Sequence, residues 1–274
     1  TPLLEFPPIV VDGRLYFVDN DGNARALRAD NGREIWHRKI ASLNASTPTY
    51  SKGRLYIVNL EPGHVLSMNA KNGRKIWEKP LPCRSESSPV VVHQRVYFGC
   101  ENGVLYALKA SNGKEVWETS VAGAIKGAPA YEDGTLFVGD YGGVVSAVRA
   151  KTGEIKWQSD SLGGSFGRAG SFYSTPAVAY GRVYLGSNDG RVYSFDKDTG
   201  EVAWTYSTGD WVYSGPSVAQ VPGTPPTVYI GSFDGNAYAI NAKTGEVRWT
   251  FPMGGQVIGS LSVIGRTVYA ATFD

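Results

Sequence analysis

A glycine is followed four residues later by a tryptophan six times in this chain of 274 residues. The steps between these tryptophans are 41, 40, 40, 47 and 45 residues, so six of the seven tryptophans belong to one repeat. A period near 40 residues with four short strands per repeat is typical of a β-propeller. The spacing therefore predicts an all-β fold of repeated four-stranded blades. The pairs are Gly32/Trp36, Gly73/Trp77, Gly113/Trp117, Gly153/Trp157, Gly200/Trp204 and Gly245/Trp249.

The repeat from 87 to 123 shows how four strands fit into one unit. An apolar run at 88–92 contains Pro89 and predicts a first strand, and 95–100 predicts a second. The pair Asn102-Gly103 predicts a hairpin turn, because Asn-Gly accepts positive φ at little cost. Alternating apolar and polar residues at 104–109 and 114–119 predict the third and fourth strands.

The six repeat tryptophans are predicted to be structural. Each follows a turn whose glycine supplies positive φ, and its ring can wedge between neighbouring blades. Burying one such ring removes roughly 150–250 Å² from water, which favours packing over contact with a cofactor. We therefore expect docking between blades at Trp36, Trp77, Trp117, Trp157, Trp204 and Trp249.

The repeats predict one propeller domain over 1–274, with six complete blades and part of a seventh. The partial blade begins at Ser260 and stops at Asp274, where its third and fourth strands would follow. We expect those strands to come from a longer chain or from a partner, because an exposed sheet edge favours pairing. The expected blades are about 7–43, 47–83, 88–123, 128–165, 175–210 and 215–255, with the partial blade at 260–274.

Charge, hydropathy and the histidine positions argue against nucleic-acid binding, a membrane span and a metal site. The net charge is +2 and no run of like charges occurs, which gives no basis for nucleic-acid binding. No stretch approaches the roughly 20 apolar residues of a membrane span, so we expect membrane attachment only through a segment outside this chain. The histidines His37, His64 and His93 lie at unrelated repeat positions, so no metal site is expected.

The two cysteines belong to one repeat. Cys83 precedes the first strand of the third blade and Cys100 ends its second strand, so both fall on the same face of that blade. A disulfide between them is geometrically feasible, and it would favour an oxidising compartment. The alternative is two unconnected thiols.

Candidate binding residues lie on two kinds of loop that surround the channel of a propeller. We call the loops before each first strand leading loops, and the turns after each second strand exit turns. The leading loop at 160–174 is seven residues longer than its equivalents, and the next one carries Trp211, the tryptophan outside the repeat. Aromatic residues with arginine are typical of a binding hot spot, whereas the alternative is that Phe166 and Phe172 only anchor the long loop. The candidates are Phe166, Arg168, Phe172, Tyr173, Trp211, Tyr213, Tyr141, Phe233, Lys126, Arg84 and Glu86.

The tryptophan repeats resemble those of a known family. The segment from Ala239 to Trp249 reads Ala-Ile-Asn-Ala-Lys-Thr-Gly-Glu-Val-Arg-Trp, and five equivalents precede it. It is similar to the tryptophan-docking motif of the PQQ-like β-propeller family. That family includes dehydrogenases that use pyrroloquinoline quinone (PQQ). It also includes non-enzymatic relatives, such as the propeller lipoprotein of the bacterial outer-membrane barrel-assembly machinery, and this chain resembles that branch.

The residues argue against the enzymatic branch. A PQQ dehydrogenase needs oxygen ligands for Ca²⁺ and an Asp that acts as general base. Many members also have a disulfide between adjacent cysteines, and no Cys-Cys pair occurs here. Trp211 could stack on a quinone, but it stands alone. We expect no catalytic residues and no cofactor, with PQQ and Ca²⁺ relevant only if the chain is a dehydrogenase.

The resemblance implies a non-catalytic, extracytoplasmic scaffold or sensor, periplasmic or on the cell surface. We expect it to bind a protein, peptide or small ligand on its channel face. Two alternatives remain open at this point. One is a PQQ- and Ca²⁺-dependent dehydrogenase or a degenerate relative of one. The other is the extracellular sensor domain of a membrane-anchored kinase.

Overall fold

The computed structural model describes residues 6–163 and 170–272, which form strands, turns and loops without a helix. None of these residues lies in a helix that is long and apolar enough to cross a membrane. The chain divides into two compact units. The first holds residues up to 120 together with 124–129, and the second holds 121–123 and the residues from 130 onward.

The first unit contains three four-stranded antiparallel sheets, in which consecutive strands are neighbours. Sheet 1 is β1 (Ile9–Val11), β2 (Arg14–Val18), β3 (Asn23–Arg28) and β4 (Glu34–Lys39). Sheet 2 is β5 (Thr49–Ser51), β6 (Arg54–Asn59), β7 (His64–Asn69) and β8 (Lys75–Pro80). Sheet 3 is β9 (Val90–Val92), β10 (Arg95–Gly99), β11 (Val104–Lys109) and β12 (Glu115–Ser120).

The second unit contains three more such sheets and a two-stranded one. Sheet 4 is β13 (Ala130–Glu132), β14 (Thr135–Gly139), β15 (Val144–Arg149) and β16 (Ile155–Asp160). Sheet 5 is β17 (Ala177–Ala179), β18 (Arg182–Gly186), β19 (Arg191–Asp196) and β20 (Val202–Ser207). Sheet 6 is β21 (Ser217–Ala219), β22 (Thr227–Gly231), β23 (Asn236–Asn241) and β24 (Val247–Pro252). Sheet 7 is β25 (Ser262–Ile264) and β26 (Thr267–Tyr269).

A small residue pairs with each repeat tryptophan across the third and fourth strands. The pairing register shifts by one residue immediately after that small residue, which is a β-bulge. A short side chain leaves room beside the large ring that stands on the neighbouring strand. The pairs are Ala26/Trp36, Ser67/Trp77, Ala107/Trp117, Ala147/Trp157, Ser194/Trp204 and Ala239/Trp249.

Within each unit, the tryptophan of one sheet docks on the next sheet. The Trp36 Nε1–H group donates to the Ala70 carbonyl oxygen at 2.9 Å, which satisfies the indole in the interior. A Cβ atom on Gly73 would lie 2.7 Å from the Trp36 ring, so only glycine fits against this face. Equivalent hydrogen bonds run from the indole N–H group to a backbone carbonyl oxygen in three other cases: Trp77 to Ala110, Trp157 to Lys197 and Trp204 to Ala242, each at 3.0 Å.

Trp249 does not fit the docking prediction. Its ring is 38% exposed, and its strand β24 is exposed along its whole length. Phe251 on the same strand is 60% exposed. Within the described residues sheet 7 has two strands and leaves β24 exposed, so the packing that buries Trp204 is not repeated here.

The core lies between successive sheets of each unit. Tyr16 and Trp36 of sheet 1 pack with Leu55 and Leu66 of sheet 2. The middle strands supply most of these side chains, because β2, β3 and their equivalents are covered on both faces. In the second unit, Phe137 of sheet 4 packs with residues of sheet 5 in the same manner. This packing fixes the ends of the strands, where the leading loops and exit turns lie.

Candidate binding site

Five aromatic rings form a continuous row on the second unit. The ring of Tyr141 lies 6.1 Å from that of Tyr173, which lies 5.1 Å from Tyr213. Tyr213 is 4.9 Å from Phe233 and 5.6 Å from Trp211, and Trp211 is 6.0 Å from Phe233. All five side chains are partly exposed. We call these residues the aromatic row.

The backbone holds the row in place, because each leading loop pairs with the exit turn beside it. The Phe233 N–H group donates to the Trp211 carbonyl oxygen at 2.8 Å, which fixes two rings of the row against each other. The Ser171 hydroxyl donates to the Tyr141 carbonyl oxygen at 3.1 Å. The Asn188 N–H group donates to the Ser171 carbonyl oxygen at 3.1 Å. These bonds explain why aromatic residues far apart in sequence become neighbours.

Carboxylates next to the aromatic row support the exit turns. The Asp234 carboxylate accepts hydrogen bonds from the Gly209 N–H group at 2.7 Å and from the Tyr238 hydroxyl at 2.5 Å. Burial, followed by the hydrogen bond with Asp234, raises the pKa of Tyr238 above its ordinary value. The phenol therefore stays protonated and keeps donating. Asp234 is next to Phe233, so this network orients one ring of the row.

Asp140 is a second carboxylate beside the row, next to Tyr141 in sequence, and unlike Asp234 it is buried. It is 0% exposed, and burial raises the pKa of its carboxyl group. Its Oδ1 atom accepts from the Val144 N–H group at 3.2 Å. Its Oδ2 atom is buried without a hydrogen-bond partner among the described residues. Asp140 thus carries a desolvation cost at the base of the aromatic row.

Phe172 was predicted as a binding residue, and this prediction is wrong. The side chain is 0% exposed and lies in the core with Tyr193 and Phe195, at ring distances of 5.5 and 6.2 Å. Phe172 anchors the long leading loop, because burying its apolar ring in the core is more favourable than leaving the ring in solvent. The predicted residues Phe166 and Arg168 lie outside the described residues.

The three charged candidates lie in the first unit, together with Glu101, which was not on the predicted list. Lys126 Nζ lies 2.9 Å from Glu101 Oε1 and also contacts the Glu86 carboxylate. Burial alone would lower the pKa of Lys126, but the hydrogen bonds with Glu86 and Glu101 outweigh it and raise the pKa. Arg84 is exposed beside this group, and its charge helps to lower the pKa of Glu101.

The charged candidates and the aromatic candidates occupy the same position of the repeat. Glu86, Lys126, Tyr173 and Tyr213 each stand three residues before the proline of a first strand. Glu86 and Lys126 in the first unit are charged and pair with each other, whereas Tyr173 and Tyr213 in the second unit are aromatic and partly exposed. The second unit is therefore the better candidate for binding through apolar contacts.

Cys83 and Cys100 are joined by a disulfide, with an S–S distance of 2.05 Å and a Cα–Cα distance of 6.0 Å. The bond ties the leading loop of sheet 3 to the exit turn of the same sheet. Cys100 is fully buried, so this sulfur is shielded from solvent.

A PQQ dehydrogenase would hold its Ca²⁺ ion with clustered oxygen ligands beside the quinone. In 6–163 and 170–272, no three His, Cys, Asp or Glu side chains gather as they would around a metal ion. The cysteines that bond are 17 residues apart rather than adjacent. The Trp211 ring packs against Tyr213 and Phe233 within the aromatic row.

The repeated four-stranded sheets with tryptophan docking define a PQQ-like β-propeller. A family model described as "Outer membrane protein assembly factor BamB" matches residues 2–129, 123–224 and 211–274. The chain therefore belongs to this family. A sequence comparison with curated proteins finds no match.

Solved structures share the fold at low identity. BamB from Moraxella catarrhalis is 20% identical, with a TM-score of 0.81 over 99% of this chain and 83% of that one. The computationally designed Ika8 protein is 16% identical, with a TM-score of 0.78 over 96% of this chain and 79% of that one. A europium-containing methanol dehydrogenase is 14% identical, with a TM-score of 0.77 over 93% of this chain and 70% of that one. One fold thus serves an assembly factor, a designed protein and an enzyme, so function depends on the site.

Proposed function

We propose that this protein is a non-catalytic bacterial scaffold or sensor, outside the cytoplasm, that binds a protein or peptide on its aromatic row. The row itself is the observation that carries the proposal. Membership of a family described as an outer-membrane assembly factor supports a protein partner. The disulfide between Cys83 and Cys100 supports an oxidising compartment. The protein performs this role without a cofactor.

The composition of the row suits protein recognition. Tyrosine and tryptophan supply large contact area at a low cost in conformational entropy, and they dominate hot spots at interfaces. The rings are partly exposed and braced by one another and by backbone hydrogen bonds, as in Phe233 to Trp211. A surface that is rigid before binding loses less entropy when a partner docks.

The charged group around Lys126 has a lesser part in this proposal. Its ammonium group is already neutralised by Glu86 and Glu101, so it offers little net charge to a partner. Charges at the rim of an interface affect the rate of association and its salt dependence more than the affinity. We therefore place the binding energy on the aromatic row.

Site-directed crosslinking in the producing bacterium tests the proposal. A photoreactive phenylalanine at Tyr213 should form a crosslink to one discrete protein, which mass spectrometry then identifies. Trp211→Ala should weaken binding of that purified protein by at least about tenfold, or ~1.4 kcal/mol. Phe251→Ala, an exposed ring outside the row, is the matched control and should leave binding unchanged. Equal affinity for both variants would show that the row does not bind the partner.

The dehydrogenase alternative rests on the shared fold with methanol dehydrogenase. Calorimetric titration with PQQ and Ca²⁺, followed by dye-linked alcohol oxidation, separates the two functions. Micromolar binding together with turnover would replace the scaffold proposal, whereas absence of both supports it. Sequence flanking residues 1 and 274 tests the kinase-sensor alternative directly.

A further inference from the structure

A second concave site lies in the second unit, at the ends of the strands that point away from the exit turns. It is a cavity of about 350 Å³ between the turns of sheets 5 and 6. This volume is within the range of small-molecule sites. None of its residues belongs to the aromatic row, so it is independent of the proposed function. It is lined by Tyr180, Arg182, Tyr184, Pro225, Pro226, Asn241, Ala242, Lys243 and Thr244.

An insertion builds one wall of the cavity. Seven residues, 220–226, connect β21 to β22, whereas two residues make the equivalent turn in the other sheets. The insertion is ordered by its own hydrogen bonds, because the Thr224 N–H group donates to the Val221 carbonyl oxygen at 2.9 Å. The Ala242 N–H group donates to the Pro226 carbonyl oxygen at 2.9 Å, which fastens the insertion to the end of β23.

The first unit shows what fills this place when no insertion is present. Arg54 occupies the repeat position of Arg182, and its guanidinium donates to the Ser111 carbonyl oxygen of the next sheet at 3.1 Å. Arg182 instead forms an ion pair with Asp196 of its own sheet at 2.8 Å. Backbone hydrogen bonds from Thr199 and Asp198 lower the pKa of Asp196, so it stays ionised and holds the guanidinium. The turn that contains Lys243 is left uncovered.

Two cations border the open space. Arg182 uses one terminal nitrogen on Asp196, and a guanidinium carries five N–H donors. The Lys243 ammonium group makes no hydrogen bond or ion pair with the described residues. Together they offer charge-assisted donors to an anion, with the guanidinium already fixed in direction.

Tyr180 supplies an exposed aromatic wall. It is 56% exposed and has a φ of 53°. Asp12, Lys52 and His93 occupy the same place in other sheets with similar positive φ. The two-residue hairpin turn itself requires this φ, so the conformation is shared and the aromatic side chain is what distinguishes sheet 5 from those three sheets.

We propose that this cavity binds an aromatic carboxylate, with Arg182 and Lys243 holding the carboxylate and Tyr180, Pro225 and Pro226 holding the ring. The apolar walls would pack against the flat ring of the ligand, and the two cations would bind its negative charge. A free aromatic acid and a peptide that ends in phenylalanine share this chemistry.

Titration of the whole chain with 2-naphthoate, followed by NMR, tests the proposal. The amides of Lys243, Thr244 and Tyr180 should shift in a saturable manner, and uncharged 2-naphthamide should bind at least about tenfold more weakly. Lys243→Gln should weaken naphthoate binding by about fivefold or more. Lys71→Gln removes a lysine from the same turn position where no insertion exists, and should change nothing.

Two further ligands distinguish a free aromatic acid from a peptide end. N-acetylphenylalanine and a hexapeptide with a free carboxyl-terminal phenylalanine both carry the carboxylate, and the one that binds more tightly shows which kind of ligand the cavity prefers. Arg182→Gln should weaken whichever binds, with the thermal midpoint recorded to verify folding. Equal binding of 2-naphthoate and 2-naphthamide, or no saturable shift below about 10 mM, would overturn the proposal.

Discussion

The indole N–H group of Trp204 donates to the carbonyl oxygen of Ala242, 38 residues further along the chain, at 3.0 Å. The hydrogen bond joins sheet 5 to the turn that follows the third strand of sheet 6. Gly245, three residues beyond Ala242, lies against the same ring. Tryptophan, carbonyl and glycine thus form one joint between two sheets.

Trp204→Ala should lower the free energy of unfolding by roughly 3–5 kcal/mol, because a large buried ring and its hydrogen bond are lost together. Trp249→Ala should cost distinctly less, since that ring is 38% exposed. Urea unfolding of both variants, with fluorescence and circular dichroism as probes, measures the difference. Equal losses would show that Trp249 is buried in solution.

Gly245→Ala should destabilise the protein more than Gly13→Ala. Both glycines have positive φ, +77° and +71°, so both variants carry the same backbone cost of about 1–2 kcal/mol. Only at Gly245 would the new Cβ atom meet a neighbour, 2.8 Å from the Trp204 ring, whereas Gly13 has nothing within 4 Å. The difference between the two unfolding free energies measures the contact. A difference of zero would mean that the ring moves aside freely.

Removal of the disulfide by Cys83→Ser with Cys100→Ala should reduce stability by about 3 kcal/mol, because the bond closes a short loop in the unfolded chain. The two half-cystines are separated by 17 residues. Chemical unfolding with and without reductant provides the measurement. Thiol titration of the denatured wild type is the control, and two free thiols per chain would contradict the bond.

Asp140 makes stability depend on pH. Burial raises the pKa of this carboxyl group above its ordinary 3.8 in the folded state. A group whose pKa is raised on folding contributes stability at pH values below its unfolded pKa, and the contribution is lost as the pH rises through its folded pKa. Asp140→Asn should remove that part of the pH dependence. Urea unfolding at several pH values from about 3.8 upward measures it, with the exposed Asp12→Asn as control. Parallel curves for wild type and Asp140→Asn would contradict the assignment.

The tryptophan spacing was enough to predict the repeated four-stranded sheets. Each fourth strand contains a tryptophan at a fixed distance from its glycine, and local turn chemistry then places the strands. The further role of glycines such as Gly73, which touch the Trp36 ring, depends on packing between sheets. Sequence alone showed only their positive φ.

The site could be predicted only in part. Tyr173 and Tyr213 were named as candidates from their loop positions, and the structure places their rings 5.1 Å apart. Phe172 was misassigned because an aromatic residue in a long loop has the same sequence pattern whether it anchors or binds. Glu101 completes the Lys126 group through the pairing of a leading loop with an exit turn. The cavity near Lys243 could have been noticed in the sequence, because the proline-rich insertion at 220–226 forms one of its walls.

The joint between sheets has a consequence for how such chains arise. The glycine that covers Trp204 belongs to the following repeat, so each repeat carries a tryptophan for its successor and a glycine for its predecessor. A duplicated repeat therefore arrives with both halves of a compatible joint. Gene duplication can lengthen the series one unit at a time without a new interface, and loop sequences are then free to diverge.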